Sequence, residues 1–276
     1  MQHSQNDEES RLDWGIIFCV LMLALIGLAS IYVAAVHDQQ PTSVARQVIT
    51  QLVWYIIGTI LVVVIMQFDS EQLWKLAPIV YWFSIFLMFA ILVFYSRSYY
   101  VNTGGKSWFA IGPFTFQPSE IMKPAYILMM GRVITTHNNR YPVHTVQSDW
   151  RLIGTMFLWL LPVLISLHFQ NDFGTALVFC AIFAGMILVS GVTWRILAPA
   201  IIGVSAVGGA VLAMVTSTVG RTILEHIGFQ AYQFDRVDTW LHPEQDTTNQ
   251  GYQLWQSIKA VGSGGITGTG FNNSKV

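Results

Sequence analysis

The sequence predicts an all-α protein, a polytopic transmembrane helical bundle, and three observations carry that reading. Charged residues make up 11% of the 276 positions and hydrophobic ones 53%, with a mean hydropathy of +0.51; a soluble domain is about a quarter charged. The apolar residues are gathered into runs near the ~20 residues that a helix needs to cross a bilayer. The polar residues are confined to short breaks between those runs and to a long C-terminal stretch. The net charge of −1 argues against nucleic acid as a partner. Cys19 and Cys180 both lie in apolar runs, so they read as small buried hydrophobes and offer no disulfide framework.

Taken in order, the N-terminal MQHSQNDEES is acidic and lacks the basic start of a signal peptide, and the first apolar run is too long for one. Residues 1–13 are expected to be a cytoplasmic tail before an uncleaved first span. Trp14–Val36 holds no charge and is that span. Val48–Met66, between Arg46 and Asp69, is the second, and Leu76–Tyr95, between Lys75 and Arg97, the third. Gly104–Gln117 is too rich in glycine and aromatics to be a span; it reads as a hairpin-like loop turning at Gly112–Pro113 and Gln117–Pro118. Pro118–Thr135 is a weaker fourth helix, with Pro118 suited to the first turn and Glu120 and Lys123 expensive in lipid. His137–Asp149 reads as a polar loop, followed by spans at Leu152–Leu167, Phe173–Val189 and Ile196–Val215. From Ser217 onward no run is long enough to cross, so 217–276 reads as the start of a large extracytoplasmic loop.

Lysine and arginine in the short loops set the orientation. With the N-terminus cytoplasmic, Arg11, Lys75, Arg132, Arg140, Arg151 and Arg195 fall inside, against Arg46, Arg97 and Lys106 outside. The Gly104–Gln117 loop, the His168–Asp172 junction and the polar C-terminal stretch then share the outer face.

Three constellations on that face could carry chemistry. Glu120 and Lys123 share a helix face, and ionisable groups in a span pair or face a wet cavity. They are either a mutually neutralising pair that locks helix packing or the wall of a cavity for an anionic or sugar-bearing substrate. In HFQNDFGT at 168–175, Asp172 can cap the following helix, and Gly174 permits close packing. In 221–276, the glycines of GSGGITGTG at 262–270 could turn backbone N–H groups to a phosphate or form a flexible loop. That stretch does not match a dinucleotide or P-loop fingerprint, and the seven histidines show no metal-ligand spacing.

GGKSWFAIGPFTFQPSEIMK at 104–123, NDFGTAL at 171–177 and GYQLWQSIKAVGSGGITGTGF at 251–271 together resemble the SEDS family, to which RodA, FtsW and SpoVE belong. RVDTWLHPE at 236–244 is most similar to the RodA branch in its Gram-positive form. The resemblance implies a peptidoglycan glycosyltransferase of cell elongation, in the plasma membrane, that polymerises lipid II, the undecaprenyl-diphosphate-linked disaccharide, on the outer face. It implies a class B penicillin-binding protein and other elongation-complex membrane proteins as partners. By motif match it assigns Lys106 and Trp108 to the substrate cavity, Glu120 and Lys123 to the family's cavity acid and base, and Asp172 to its conserved-motif acid. Arg236 matches the arginine opening the large loop, and Gln253, Ser257, Gly264 and Gly265 fall in the same cavity set. It leaves no metal ligand in the chain, although a divalent cation, Mg or Mn, would suit the diphosphate on charge grounds.

Family members have about ten spans, against about seven here. Their catalytic aspartate follows the glycine-rich stretch, whereas Asp235, Asp238 and Asp246 precede it. The sequence ends at Val276, ahead of that motif, so the expectation is an incomplete membrane domain, 1–276, that is inactive alone. Two readings compete with the polymerase: a lipid II flippase, and a non-catalytic scaffold for the penicillin-binding protein. Transporters place polar groups and broken helices at mid-depth, whereas the ionisable residues here lie toward the outer edge, which favours surface chemistry.

Overall fold

The computed structural model describes residues 13–37, 44–111, 114–143, 145–227, 231–245, 251–265, 268 and 270. Its elements are α1 (Trp14–His37), α2 (Val44–Met66), α3 (Ser70–Phe94), α4 (Arg97–Thr103), β1 (Phe109–Ile111), β2 (Phe114–Phe116), α5 (Pro118–Arg140), α6 (Val146–Gln170), α7 (Phe173–Val189), α8 (Trp194–Thr216), α9 (Thr218–Ile227), α10 (Ala231–Leu241) and α11 (Tyr252–Gly264). Helices α1, α2, α3, α6 and α8 are long and apolar enough to cross a membrane, and α7 is a shorter apolar helix. The expected fourth and sixth spans are helices, α5 (23 residues) and α7, but neither is among these five.

The helices run longer than their apolar stretches. α3 begins at Ser70 rather than Leu76, because Asp69 and Gln72 form a reciprocal capping box that starts the helix in polar sequence. The expected polar loop 137–149 is mostly helix: α5 continues to Arg140 and α6 starts at Val146 behind a Thr145–Ser148 capping box. Polar residues mark where a helix meets water, not where it stops.

The chain divides into two compact units, Phe68–Ala210 and Met1–Gln67 with Val211–Val276. In the first, α3 packs on α5 and α6, and α7 packs on α5 and α6. Leu152, Met156, Leu160, Val163 and Leu167 form a buried stripe at helical spacing on α6, facing Tyr81 and Met88 of α3, Met122 and Tyr126 of α5 and Phe179 of α7. The opposite faces, such as Phe83 and Phe86, are apolar and exposed, as a bilayer-facing surface requires. Buried polar ties cross this core. Ser166 Oγ donates to the Met88 carbonyl (2.9 Å), and Gln170 Nε2 donates to the same carbonyl (3.1 Å) and to Ser166 Oγ (2.9 Å).

In the second unit, α1 packs on α2, and the end of α8 with α9 and α10 forms a small core of Val215, Leu224 and Phe234. Cys19 on α1 and Cys180 on α7 are exposed rather than buried. The correction has a simple cause: a bilayer-facing position is apolar without being covered by protein.

Candidate functional site

The stretch between α3 and α5 folds back on itself and is tied down at each step. α4 ends at Gly104, whose φ of +70° suits glycine and whose N–H donates to the Tyr100 carbonyl (2.8 Å). The Lys106 N–H then donates to the Gln170 carbonyl at the end of α6 (2.8 Å), and the Trp108 carbonyl accepts from the Ser96 N–H (2.9 Å). β1 and β2 pair antiparallel with Phe109 opposite Phe116, so the hairpin-like reading has a physical form. Its Gly112–Pro113 turn lies outside the described residues. Pro118 opens α5 at the first helical position, as expected.

Asn171–Asp172 is a stop–start device. Asn171 adopts the left-handed conformation (φ 57°) that ends α6. Asp172 then caps α7, its Oδ1 accepting from the Thr175 N–H (3.1 Å). Its other oxygen, Oδ2, accepts from Gln117 Nε2 (3.1 Å), at the residue just before α5. The capping role and a side-chain link between α5 and α7 therefore coexist on one carboxylate.

Glu120 and Lys123 do pair, at 2.7 Å, and both side chains keep access to the outside, 56% and 27% exposed. A partly exposed pair contributes about 0–1 kcal/mol. That is too little to make packing the reason for two charges in a membrane helix. Lys106 Nζ lies over Tyr95 (5.3 Å) and Tyr100 (5.9 Å), while Trp108 stacks on Tyr99 (5.9 Å). The helical unit thus gathers two cations, two carboxylates and a tyrosine–tryptophan surface on its loop and adjoining helix starts.

The remaining candidates lie in the other unit. Arg236 is exposed on α10, and Gln253 and Ser257 share α11, where the Ser257 hydroxyl donates to the Gln253 carbonyl (2.8 Å). Gly264 closes α11, and Gly265 is its cap, with φ 53°. The flexible, phosphate-cradling loop expected at 262–270 is corrected for its first part: Gly262–Gly264 are helical, so their N–H groups point along the helix. Residues 266, 267 and 269 lie outside the described residues. Asp238 pairs with Arg221, and that hydrogen bond is the main cause holding the guanidinium pKa above its ordinary value.

Two residues of this region were not singled out from sequence. Gln170 is a buried amide at the end of an apolar span, which by itself signals an internal tie. Gln117 was noted only as part of a turn, and no local pattern discloses a partner 55 residues away.

Fold and site define a polytopic helical membrane protein with a charged, aromatic-lined loop built between two of its helices. A family model described as "Cell cycle protein", FTSW_RODA_SPOVE, matches residues 13–276, and the chain belongs to that family. It is 26% identical over 322 residues to the peptidoglycan glycosyltransferase RodA of Treponema pallidum, covering 95% of this chain and 71% of that protein. It covers between 48% and 63% of the length of similar proteins named FtsW. Among solved structures it is similar to the rod shape determining protein RodA of Thermus thermophilus (TM-score 0.54, 27% identity, covering 72% of this chain and 60% of that one). It is also similar to a chain from a peptidoglycan synthase complex whose structure concerns coordination of polymerization and crosslinking (TM-score 0.62, 28% identity, covering 93% and 67%).

Proposed function

We propose that the protein carrying this sequence is a peptidoglycan glycosyltransferase that polymerises lipid II, with residues 104–123 and 171–172 forming part of the sugar- and diphosphate-binding side of its site. The Glu120–Lys123 pair carries the reading: two charges at the start of a membrane helix, held 2.7 Å apart yet accessible. The names of the similar proteins supply the reaction class.

In that reaction the acceptor hydroxyl oxygen bonds to the anomeric carbon of the donor sugar, whose bond to the diphosphate oxygen breaks, and the hydroxyl proton passes to a general base. Lys123 and Lys106 screen the charge that develops on the departing diphosphate, and such preorganised cations act most strongly where water is excluded. The tyrosine and tryptophan rings beside Lys106 offer apolar faces to a sugar. A Mg or Mn ion carried by the diphosphate would add to the screening. Among the described residues no three His, Cys, Asp or Glu side chains gather to hold one.

A class B penicillin-binding protein is the proposed partner, in line with the likeness to a chain of a synthase complex. The lysine and arginine distribution supports a cytoplasmic N-terminus and an outer-face site. Full-length protein, reconstituted in liposomes with that partner and labelled lipid II, tests the proposal. Glycan strands are expected. Rapid movement of lipid II between leaflets with no polymer would replace this reading with a transporter.

A further inference from the structure

Where α8 ends, the chain doubles back in a way that only one residue permits. A Cβ on Gly220 would stand 2.3 Å from the Met214 carbonyl oxygen and 2.5 Å from its Cα, so α9 lies against the last turn of α8 on the strength of that glycine. Arg221 fastens the arrangement. Its Nε donates to the Val215 carbonyl (2.6 Å), its guanidinium pairs with Asp238 of α10, and it lies over the Phe234 ring (5.7 Å). Val215, Leu224 and Phe234 close a buried core beneath it.

This clasp covers only part of its apolar surface. At 100° per residue, Val219 and Ile223 share the apolar stripe of α9 with Gly220 and Leu224. Gly220 and Leu224 are buried, while Val219 is 72% and Ile223 46% exposed. On α10 Phe234 is buried, while Trp240 is 66% and Leu241 39% exposed. Thr222 and Glu225 lie on the other side of α9.

The position of the clasp says what covers this surface. α8 is a helix long and apolar enough to cross the membrane, and α9 begins after a single intervening residue, Ser217. A 10-residue helix folded back at that point is about 15 Å long and has no linker with which to leave the headgroup layer. Amphipathic helices seat an apolar edge at the headgroup–acyl boundary, and tryptophan is favoured at that depth.

We propose that α9 and α10 form an interfacial clasp at the end of α8, inserting Val219, Ile223, Trp240 and Leu241 into the bilayer surface. Its attachment is apolar: Arg221 is paired with Asp238, and the remaining charges of α9 and α10, Glu225, Asp235 and Arg236, offer a lipid headgroup no net positive charge. The clasp is therefore indifferent to anionic lipid. The inference needs only that the chain spans a membrane and is independent of the proposed activity.

Single-cysteine variants of the full-length protein, made without Cys19 and Cys180 and spin-labelled in nanodiscs, test it. Labels at Val219→Cys, Ile223→Cys and Trp240→Cys should show a several-fold higher ratio of oxygen to nickel-chelate accessibility than labels at Thr222→Cys and Glu225→Cys. The contrast should be the same in neutral and in phosphatidylglycerol-containing bilayers. Equal ratios at all five positions overturn the proposal, and so does shielding that arises only when a partner protein is added. A Val219→Gln, Ile223→Gln variant should leave thermal unfolding unchanged while moving the label at 240 toward water; a lowered melting temperature would mean that protein, not lipid, covers the face.

Discussion

The helical unit has two carboxylates that do the same local job at opposite ends, and their surroundings differ. Asp172 accepts the Thr175 N–H at the start of α7, and Asp149 accepts the Thr193 N–H (3.0 Å) just ahead of α8. Asp149 is fully buried and also takes the Ser148 hydroxyl (3.4 Å). Around it, Asn138 Nδ2 donates to the Ser190 carbonyl (3.0 Å), and Arg132 lies 4.0 Å from the Trp74 ring while donating to its carbonyl (2.8 Å). At that end Asp149, the Asn138 amide nitrogen and Arg132 are committed to backbone groups, while Asn138 Oδ1 and Thr193 Oγ1 are buried with no hydrogen-bond partner among the described residues. At the Asp172 end, one carboxylate oxygen accepts from the Gln117 amide, and Lys123 and Glu120 pair with each other, with no other side-chain partner seen for them among the described residues. Partners that can be exchanged for a ligand, rather than charge as such, distinguish a site from a scaffold.

The largest expected effect breaks the comparison at Lys123. Lys123→Ala should lower polymerisation of lipid II by the full-length protein about 100-fold or more, the loss typical of removing one preorganised charge-stabilising group. Unfolding free energy should move by no more than about 1 kcal/mol, since the pair is partly exposed. Lys123→Arg should recover part of the rate. A variant with a large stability loss and an unchanged rate per folded molecule would return the Glu120–Lys123 pair to packing.

Much of this contrast was legible in the sequence. The apolar runs located every long helix because the span period is set by bilayer thickness, and Phe173–Val189 matched to the residue. Pro118 as a helix opener, Asp172 as a cap and the spacing of Glu120 and Lys123 are local features, and local patterns disclose them. Helix ends were misjudged wherever a capping box extended a helix into polar sequence, as at Asp69 and Thr145. The role of Asp149 was invisible, since it sat in a stretch read as a polar loop and its partner Thr193 is 44 residues away. Gln117–Asp172 and Gln170–Met88 were hidden for the same reason: nothing local specifies which helix faces which.

The second effect tests the committed end. Asp149→Ala removes an ionisable acceptor from a fully buried position and leaves the Thr193 N–H without it. Hydrogen bonds to charged groups contribute about 1.5–3 kcal/mol, so a loss near 2 kcal/mol is expected in denaturation of the detergent-solubilised protein. Asp149→Asn keeps an acceptor and should lose less. The polymerisation rate per folded molecule should stay the same for both; a rate loss without destabilisation would make the two ends functionally equivalent.

The smallest effect sharpens the comparison between polar groups that act in the site and those that hold the frame beneath it. Ser166 donates to the Met88 carbonyl and accepts from Gln170, whose own carbonyl receives the Lys106 N–H. A chain of hydrogen bonds therefore runs from the α3–α6 core to the backbone of the loop that carries Trp108. Interhelical hydrogen bonds in membranes average about 0.6 kcal/mol, so Ser166→Ala should cost little stability. Gln170 keeps its bond to Met88, and the loop keeps its anchor. Gln170→Leu likewise removes two side-chain bonds, to Met88 and to Ser166, while sparing the carbonyl that holds Lys106, so it should cost about as much. Hydrogen exchange at the Lys106 amide separates the possibilities. Unchanged protection in both variants would show the loop held by the backbone of α6 alone, whereas faster exchange in Gln170→Leu would show that a buried amide in the core sets the order of the loop.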